Sequence, residues 1–170
     1  LSGGSQSSIA NSPHLEAFKS KGLEVLFLSD PIDELMVQSL TEFEGKKLKS
    51  VAKGTVDLGT SEEKKKARTD LNAKQSEFTD MMSLLKTKLE KHIKEVRITN
   101  RLTDSPACLV VADEDFSPQM ERMMRAQQGQ TPKQLRIMEL NPDHEIVQKL
   151  KNKVKNNRDS QSIDEYAELL

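Results

Sequence analysis

The side chains best spaced to act together are Phe116, Met120, Met123 and Met124, at i, i+4, i+7 and i+8, which places them on one side of a helix. Their chemistry is dispersion and hydrophobic burial rather than proton or group transfer. Two readings fit the spacing: core of the chain's own domain, or an adaptable docking surface, because unbranched, polarisable Met re-packs against varied partners more readily than Leu or Ile. Four such side chains left in water forgo about 1.5 to 3 kcal/mol each, a sum comparable with the stability of a small domain. Exposure would therefore require a function.

The titratable residues make no such set. His14, His92 and His144 are far apart and none pairs with another at metal-ligand spacing, so surface or capping roles are expected. Cys108 is the only cysteine and lies in the apolar run 107–111, which reads as a buried structural thiol and excludes a disulfide within the chain. There is no Gly-rich phosphate loop, no nucleophile elbow and no Cys/His cluster. Asp33/Glu34 and Asp113/Glu114/Asp115 read as charges at helix starts. Neither catalysis nor a metal site is supported.

The elements around the Met stripe follow from periodicity. Residues 95–102 alternate, with Val96, Ile98 and Leu102 on one face and Glu95, Arg97, Thr99 and Arg101 on the other, and Asn100 as the one polar residue on the inward side. Asp104, Ser105 and Pro106 supply turn chemistry before the run 107–111, so the two segments are predicted to form a hairpin. Ser117 and Pro118 start the Met helix and Gly129 stops it.

Upstream, Ser12–Pro13 opens a helix ended by Gly22, and residues 25–28 read as a short buried strand. Asp30–Pro31 opens another helix carrying Ile32, Leu35, Met36, Leu40 and Phe43 to a stop at Gly45, and 47–51 reads as a second strand. Gly54 and Gly59 mark a boundary. Thr60 and Glu63 fit a capping box opening a helix predicted over about 61–93, with Leu71, Phe78, Met82, Leu85, Leu89 and Ile93 as its apolar face and Lys64, Lys65, Lys66 and Arg68 in its solvated first turns. Residues 135–140 are a third strand of the second unit, Asn141–Pro142 starts a helix with Ile146, Val147 and Leu150 inward, and residues 151–162 are expected to be a flexible polar connection.

The chain has 170 residues, 31% of them charged, 4% aromatic and none Trp. Twenty-six basic against 27 acidic residues leave a net charge of −1, which gives no electrostatic case for nucleic acid or an anionic membrane. No stretch approaches the roughly 20 apolar residues of a membrane span, and no leader pattern is present, so the expected location is cytoplasmic. Leu1 is not an initiator Met and the apolar pattern at Leu170 is unfinished, so the ends read as cut.

The segments SPHLEAFKSKGLEVLFLSDPIDE, LTEFEGKKLKSV, NRLTDSPACLVV and ELNPDHEIV resemble, in order, the end of the middle segment and the C-terminal domain of the bacterial HtpG branch of the heat shock protein 90 chaperone family. The resemblance covers nearly the whole chain and is weakest over 52–90. It implies an α+β fold: residues 1–53 as a small αβα layered unit, 54–60 as a linker, and 61–170 as a C-terminal domain with a long helix, a three-stranded sheet and flanking helices, cut short at its end. It further implies that client proteins contact an exposed stripe of Phe116, Met120, Met123 and Met124, with neighbouring contacts at Glu34, Leu35 and Gln38. Leu35 stands where some relatives carry a large aromatic residue.

By the same resemblance Ile163, Tyr166, Ala167, Leu169 and Leu170 begin the seam by which the family dimerises, and homodimerisation is expected to be weakened or lost here. The ATP and Mg site of the full-length protein lies upstream, so this stretch needs no cofactor and is not itself an enzyme. The expected function is binding of exposed apolar segments of unfolded or partly folded proteins; the alternative is a structural self-association module with the Met helix buried internally.

Overall fold

A computed structural model describes residues 1, 5–55, 58–128 and 134–156. The elements are α1 (Gln6–Ala10), a 3-10 turn (Pro13–Leu15), α2 (Glu16–Ser20), α3 (Pro31–Ser39), β1 (Glu42–Phe43), β2 (Lys46–Lys47), α4 (Ser61–Lys88), β3 (Ile93–Ile98), β4 (Ala107–Val110), α5 (Pro118–Gln128), β5 (Arg136–Leu140) and α6 (Glu145–Asn156). The α+β class and the three-stranded sheet with its long helix are as expected.

The sheet order is β3-β5-β4, with β5 parallel to β3 and antiparallel to β4. The expected hairpin between the second unit's first two strands does not form, because β5 sits between them. Period-two alternation fixes which face a residue occupies and is silent on which strand it pairs with. Register aligns Val96, Met138 and Leu109 across one row and Ile98, Leu140 and Ala107 across the next. This face is covered by α4 and α6: Phe78, Met81, Met82 and Leu85 of α4 and Val147, Leu150 and Val154 of α6 join Val96, Ile98, Met138 and Leu140 in one buried cluster. Leu109, on the edge strand, remains 52% exposed. On the opposite face Cys108, Val110 and Ile137 pack with Leu102 and Ala112.

Helix α4 starts as read: the Thr60 hydroxyl accepts from the Glu63 amide (3.3 Å) and the Glu63 carboxylate accepts from the Thr60 amide (2.6 Å), closing a capping box. Its 28 residues span about 42 Å. The helix ends at Lys88, short of the predicted 93, since Ile93 is taken as the first residue of β3. Helix α6 runs to Asn156 with Val154 2% exposed, so residues 151–156 are helix rather than a flexible connection. Val147, Leu150 and Val154 recur at i, i+3 and i+7, enough to pack one face against α4 although every intervening residue is polar. Ile146 is turned outward at 36% exposure.

Among the described residues of the first 53, no layered αβα sheet forms. Residues 23–27 carry no ladder and Leu28 forms only a single bridge; Leu26 O and Leu28 N–H bond to Leu1, and Leu26 is 71% exposed. Nor does the helix from Pro31 reach Phe43. Leu40 caps it, and Glu44 (φ 48°) with Gly45 (φ 73°) makes a two-residue turn joining β1 to β2. Two successive positive φ angles are the geometry that suits right-twisted antiparallel strands. Residues 48–50 lie outside any strand.

The boundary glycines hold positive φ, 55° at Gly54 and 98° at Gly59. Gly54 is buried and bonded: its amide donates to Val111 O (2.9 Å), and Lys53 bridges Val111 in parallel fashion. A Cβ at Gly54 would displace the Asp113 carboxylate, and the positive backbone angle is what calls for glycine there.

Candidate functional site: the α3–α5 face

Helices α3 and α5 touch. At their contact the Ser117 hydroxyl donates to Glu34 Oε2 (2.6 Å) and accepts from the Met120 amide (3.1 Å), so the residue predicted to cap the Met helix also ties it to α3. Helix α3 opens with the Asp33 carboxylate accepting from the Asp30 amide (3.0 Å) and with Pro31 at its first position. The far side of α5 is anchored to β5 through Glu121. Its carboxylate takes Arg136 Nη2, the Gln134 amide (3.2 Å) and Arg125 (3.4 Å).

The seven residues expected to contact clients are brought to one region but are not equally accessible. Leu35 is 46% and Phe116 45% exposed, Gln38 is exposed, and Met123 and Met124 are half-buried. Met120 is buried at 8% and Glu34 at 4%. For Met120 the core reading of the stripe holds: at i+4 from Phe116 it points into the chain while Phe116, before the helix begins, does not. Glu34 is buried because its carboxylate is the acceptor for Ser117, so it is a structural tie. Other large apolar groups of this segment are also exposed, Ile32 (66%), Met36 (40%) and Leu40 (37%), as is Phe43 (61%). The helical spacing read from Ile32 to Phe43 ends at Leu40, and Phe43 belongs to the hairpin. Residues 163–170, with the expected dimer contacts Ile163, Tyr166, Ala167, Leu169 and Leu170, and the stop at Gly129 lie outside the described residues.

The largest correction concerns charge. Arg101, read as outward, is 0% exposed. The strand ends at Ile98, and the turn through 99–101 swings the guanidinium under residues 51–54, where it donates to Gly54 O (2.6 Å), Val51 O and Glu139 Oε2 (2.7 Å). Arg97 completes the set, with Nη2 2.6 Å from Glu139 Oε1 and 3.0 Å from Gly54 O. Glu139 itself is 2% exposed. Asn100, expected inward, is exposed. The triad, on the sheet face opposite α4 and α6, thus fastens residues 51–54 to β3 and β5. Two of the acids 113–115 are paired: Lys94 of β3 reaches Asp115 (2.8 Å) and Glu114 (3.2 Å).

His14 is half-buried rather than at the surface, and burial, helped by the field of Arg101, pulls its pKa down from 6.5 to about 4. His144 fits its expected capping role, Nδ1 accepting from the Ile146 amide (3.2 Å), and His92 is exposed. Burial pushes the Cys108 thiol up to about 12, as a structural thiol requires. Burial alone would raise the Glu16 carboxyl, but hydrogen bonds from the Ser105 hydroxyl and the amides of Asp104, Thr103 and Ser105 outweigh it and hold the group below its ordinary 4.5.

These two groups give a signed prediction. Between pH 6.5 and about 4 the unfolded chain protonates His14 and the folded chain does not, so stability falls as pH falls through that window, by at most about 3 kcal/mol. Glu16 contributes above its unfolded value and loses that contribution as pH drops through its lowered folded value, so acid acts in the same direction. Thermal melts followed by circular dichroism from pH 7.5 to 4 should show a falling Tm, and His14→Gln should flatten the part between 6.5 and 4. An unchanged slope in that variant would contradict the assignment.

Among the described residues no cluster of three or more His, Cys, Asp or Glu could hold a metal, and no helix is long and apolar enough to cross a membrane. Fold and site define an α+β protein distinguished by an apolar helical face. The model of the family described as Hsp90 protein matches residues 1–170, and the chain belongs to that family. Its relatives include proteins named Chaperone protein HtpG: from Frankia casuarinae, 46% identical over all 170 residues and 26% of that protein's length; from Nocardia farcinica, 52% identical over 86% of this chain and 22% of the relative; and from Geobacter sulfurreducens, 43% identical over the whole chain and 26% of the relative. The chain therefore spans about a quarter of the length of the curated relatives it matches.

Proposed function

We propose that this chain is the client-contacting end of an HtpG-type chaperone, and that apolar segments of unfolded or partly folded proteins bury against the α3–α5 face. The observation that carries the reading is the joint exposure of Leu35 on α3 and Phe116 just before α5, two helices tied together by Ser117 and Glu34. At about half exposure, each of the two forgoes on the order of half of the roughly 1.5 to 3 kcal/mol of full burial, a cost that a docking surface recovers when occupied. Leu35, Gln38, Phe116, Met123 and Met124 make the contacts, joined by Ile32, Met36 and Phe43, while Met120 and Glu34 support them from beneath. Residues 1–53 belong to the end of the middle segment and 61–170 to the C-terminal domain, with 54–60 between them. ATP and Mg act through parts of the full-length protein outside this stretch, and the seam beginning at Ile163, Tyr166, Ala167, Leu169 and Leu170 contributes to homodimerisation. The chain works in the cytoplasm as a holding surface.

The test is suppression of aggregation of a thermally unfolding protein. Leu35→Ser with Phe116→Ser should weaken suppression several-fold at unchanged Tm, because both side chains are already half in water. Undiminished suppression by that folded double variant would overturn the reading. Sedimentation of the unaltered chain at several concentrations distinguishes the self-association alternative, which requires a stable oligomer that buries the Met helix.

A further inference from the structure

Beside Arg136 of the Glu121 anchor, a cavity of about 320 Å³ opens between the first helices, the segment before Gly54, β4 and the start of α5. Its size lies at the small end of the roughly 300–1,000 Å³ range of ligand sites. The walls combine Ile9, Leu109 and Val111 with four serines, and with His14, Lys53 and Arg136; no Asp or Glu is among the lining residues. Two buried nitrogens with no hydrogen-bond partner among the described residues, Arg136 Nη1 and His14 Nδ1, belong to these lining side chains.

The sign of the missing partner follows from the donors. Arg136 is 15% exposed at its side chain, and Nη2 is engaged with Glu121, whose carboxylate is shared with Arg125 and the Gln134 amide. Nη1 is thus a spare donor, and a buried donor without an acceptor is destabilising until one arrives. Lys53 uses one ammonium proton on Asp115 O (2.7 Å) and has two to give. His14, held neutral by burial, presents Nδ1 as a donor in one tautomer. A cation would meet two positive charges, and a fully apolar molecule would leave these donors orphaned. Inorganic phosphate would leave the hydrocarbon wall wet.

We propose that this cavity binds a small organic acid with an apolar body, its carboxylate on Arg136 Nη1 and Lys53 and its hydrocarbon against Ile9, Leu109 and Val111. The pairing is a charge-assisted hydrogen bond from Nη1 joined by the Lys53 ammonium, and it leaves specificity to the body.

The experiment is a titration of the isotopically labelled 170-residue chain with 3-phenylpropionate, followed by amide NMR shifts, against 3-phenylpropanol and acetate. Saturable shifts at Ser8, His14, Ala52, Lys53 and Val111 are expected with the acid, at least about 5-fold weaker with the alcohol, which keeps the body and lacks the charge, and with acetate, which does the reverse. Lys53→Met and Arg136→Lys should each weaken the acid several-fold. Lys53→Met leaves the Glu121 anchor untouched, so it decides the matter even where Arg136→Lys disturbs the fold. Equal binding of acid and alcohol, unweakened binding by Lys53→Met, or shifts confined to Leu35 and Phe116 would overturn the proposal, the last by assigning the acid to the α3–α5 face instead.

Discussion

Replacing Glu139 with alanine is expected to destabilise the chain by about 3 to 5 kcal/mol, the cost of leaving a buried charge without its counter-ion. Arg101 is 0% exposed and Glu139 2%, so no water replaces the lost carboxylate, and Arg97 and Arg101 would face each other across the vacated space. The carbonyls of Val51 and Gly54 remain as acceptors but carry no net charge. Urea denaturation measures the loss directly. Amide exchange adds a local signature, because protection at Gly54 and Val111, whose amides donate to Val111 O and Ala52 O, should fall along with the global stability. Pairing Glu139→Gln with Arg101→Met should recover part of the loss, since the fully buried charge goes with its partner and only Arg97, 20% exposed at its side chain, is left charged. A loss below about 1 kcal/mol in Glu139→Ala would mean that the triad is not what holds residues 51–54.

The second large effect is expected in the main core. Phe78 is 1% exposed, packed among Met82, Leu85, Val147 and Leu150, with Lys151 Nζ 4.6 Å from its ring centroid. Phe78→Ala should cost about 3 to 5 kcal/mol, from lost transfer energy and the cavity left behind. Position sharpens the consequence: on α4, the buried residues are Phe78, Met81, Met82 and Leu85, all in its second half. Without the ring, exchange protection should fall toward the first turns of α4 and at Val147 and Leu150 of α6, which face the same gap. Phe78→Leu, which keeps most of the volume, should cost less than about 1.5 kcal/mol. Similar stability of the alanine and leucine variants would show that the site collapses.

Much of this architecture was legible from local signals. Ser12–Pro13, Asp30–Pro31, Thr60 with Glu63, and Ser117–Pro118 each mark a helix start, because a cap and a proline act through the nearest backbone groups and need no distant partner. The strands at 93–98, 107–110 and 136–140 were visible in their apolar spacing. Pairing was not, because the insertion of β5 between β3 and β4 is a property of the sheet and leaves no mark on either strand. Arg101 was misplaced by extending alternation past Ile98, where the strand has ended. A usable signal lay elsewhere: Glu139 sits in the apolar strand Arg136–Leu140, and a charge in a strand covered on both faces calls for a buried partner of opposite sign. Within the site, spacing grouped Met120 with Phe116 yet could not separate the residue facing the core from the one facing water. Glu34 entered through the family resemblance, and its hydrogen bond to Ser117, 83 positions away, lies beyond any local pattern.

The most direct measurement of the central claim is site-resolved photo-crosslinking to an unfolded protein, with Leu35, Phe116 and Ile146 replaced one at a time by a photoreactive phenylalanine. Leu35 and Phe116 lie on the α3–α5 face, while Ile146, 36% exposed, lies on α6 beside α4. Adducts concentrated at positions 35 and 116, competed by excess unlabelled unfolded protein and absent with the same protein folded, are the predicted result. Adducts at 146 as abundant as those at 35 and 116 would contradict the account, as would none at the α3–α5 face.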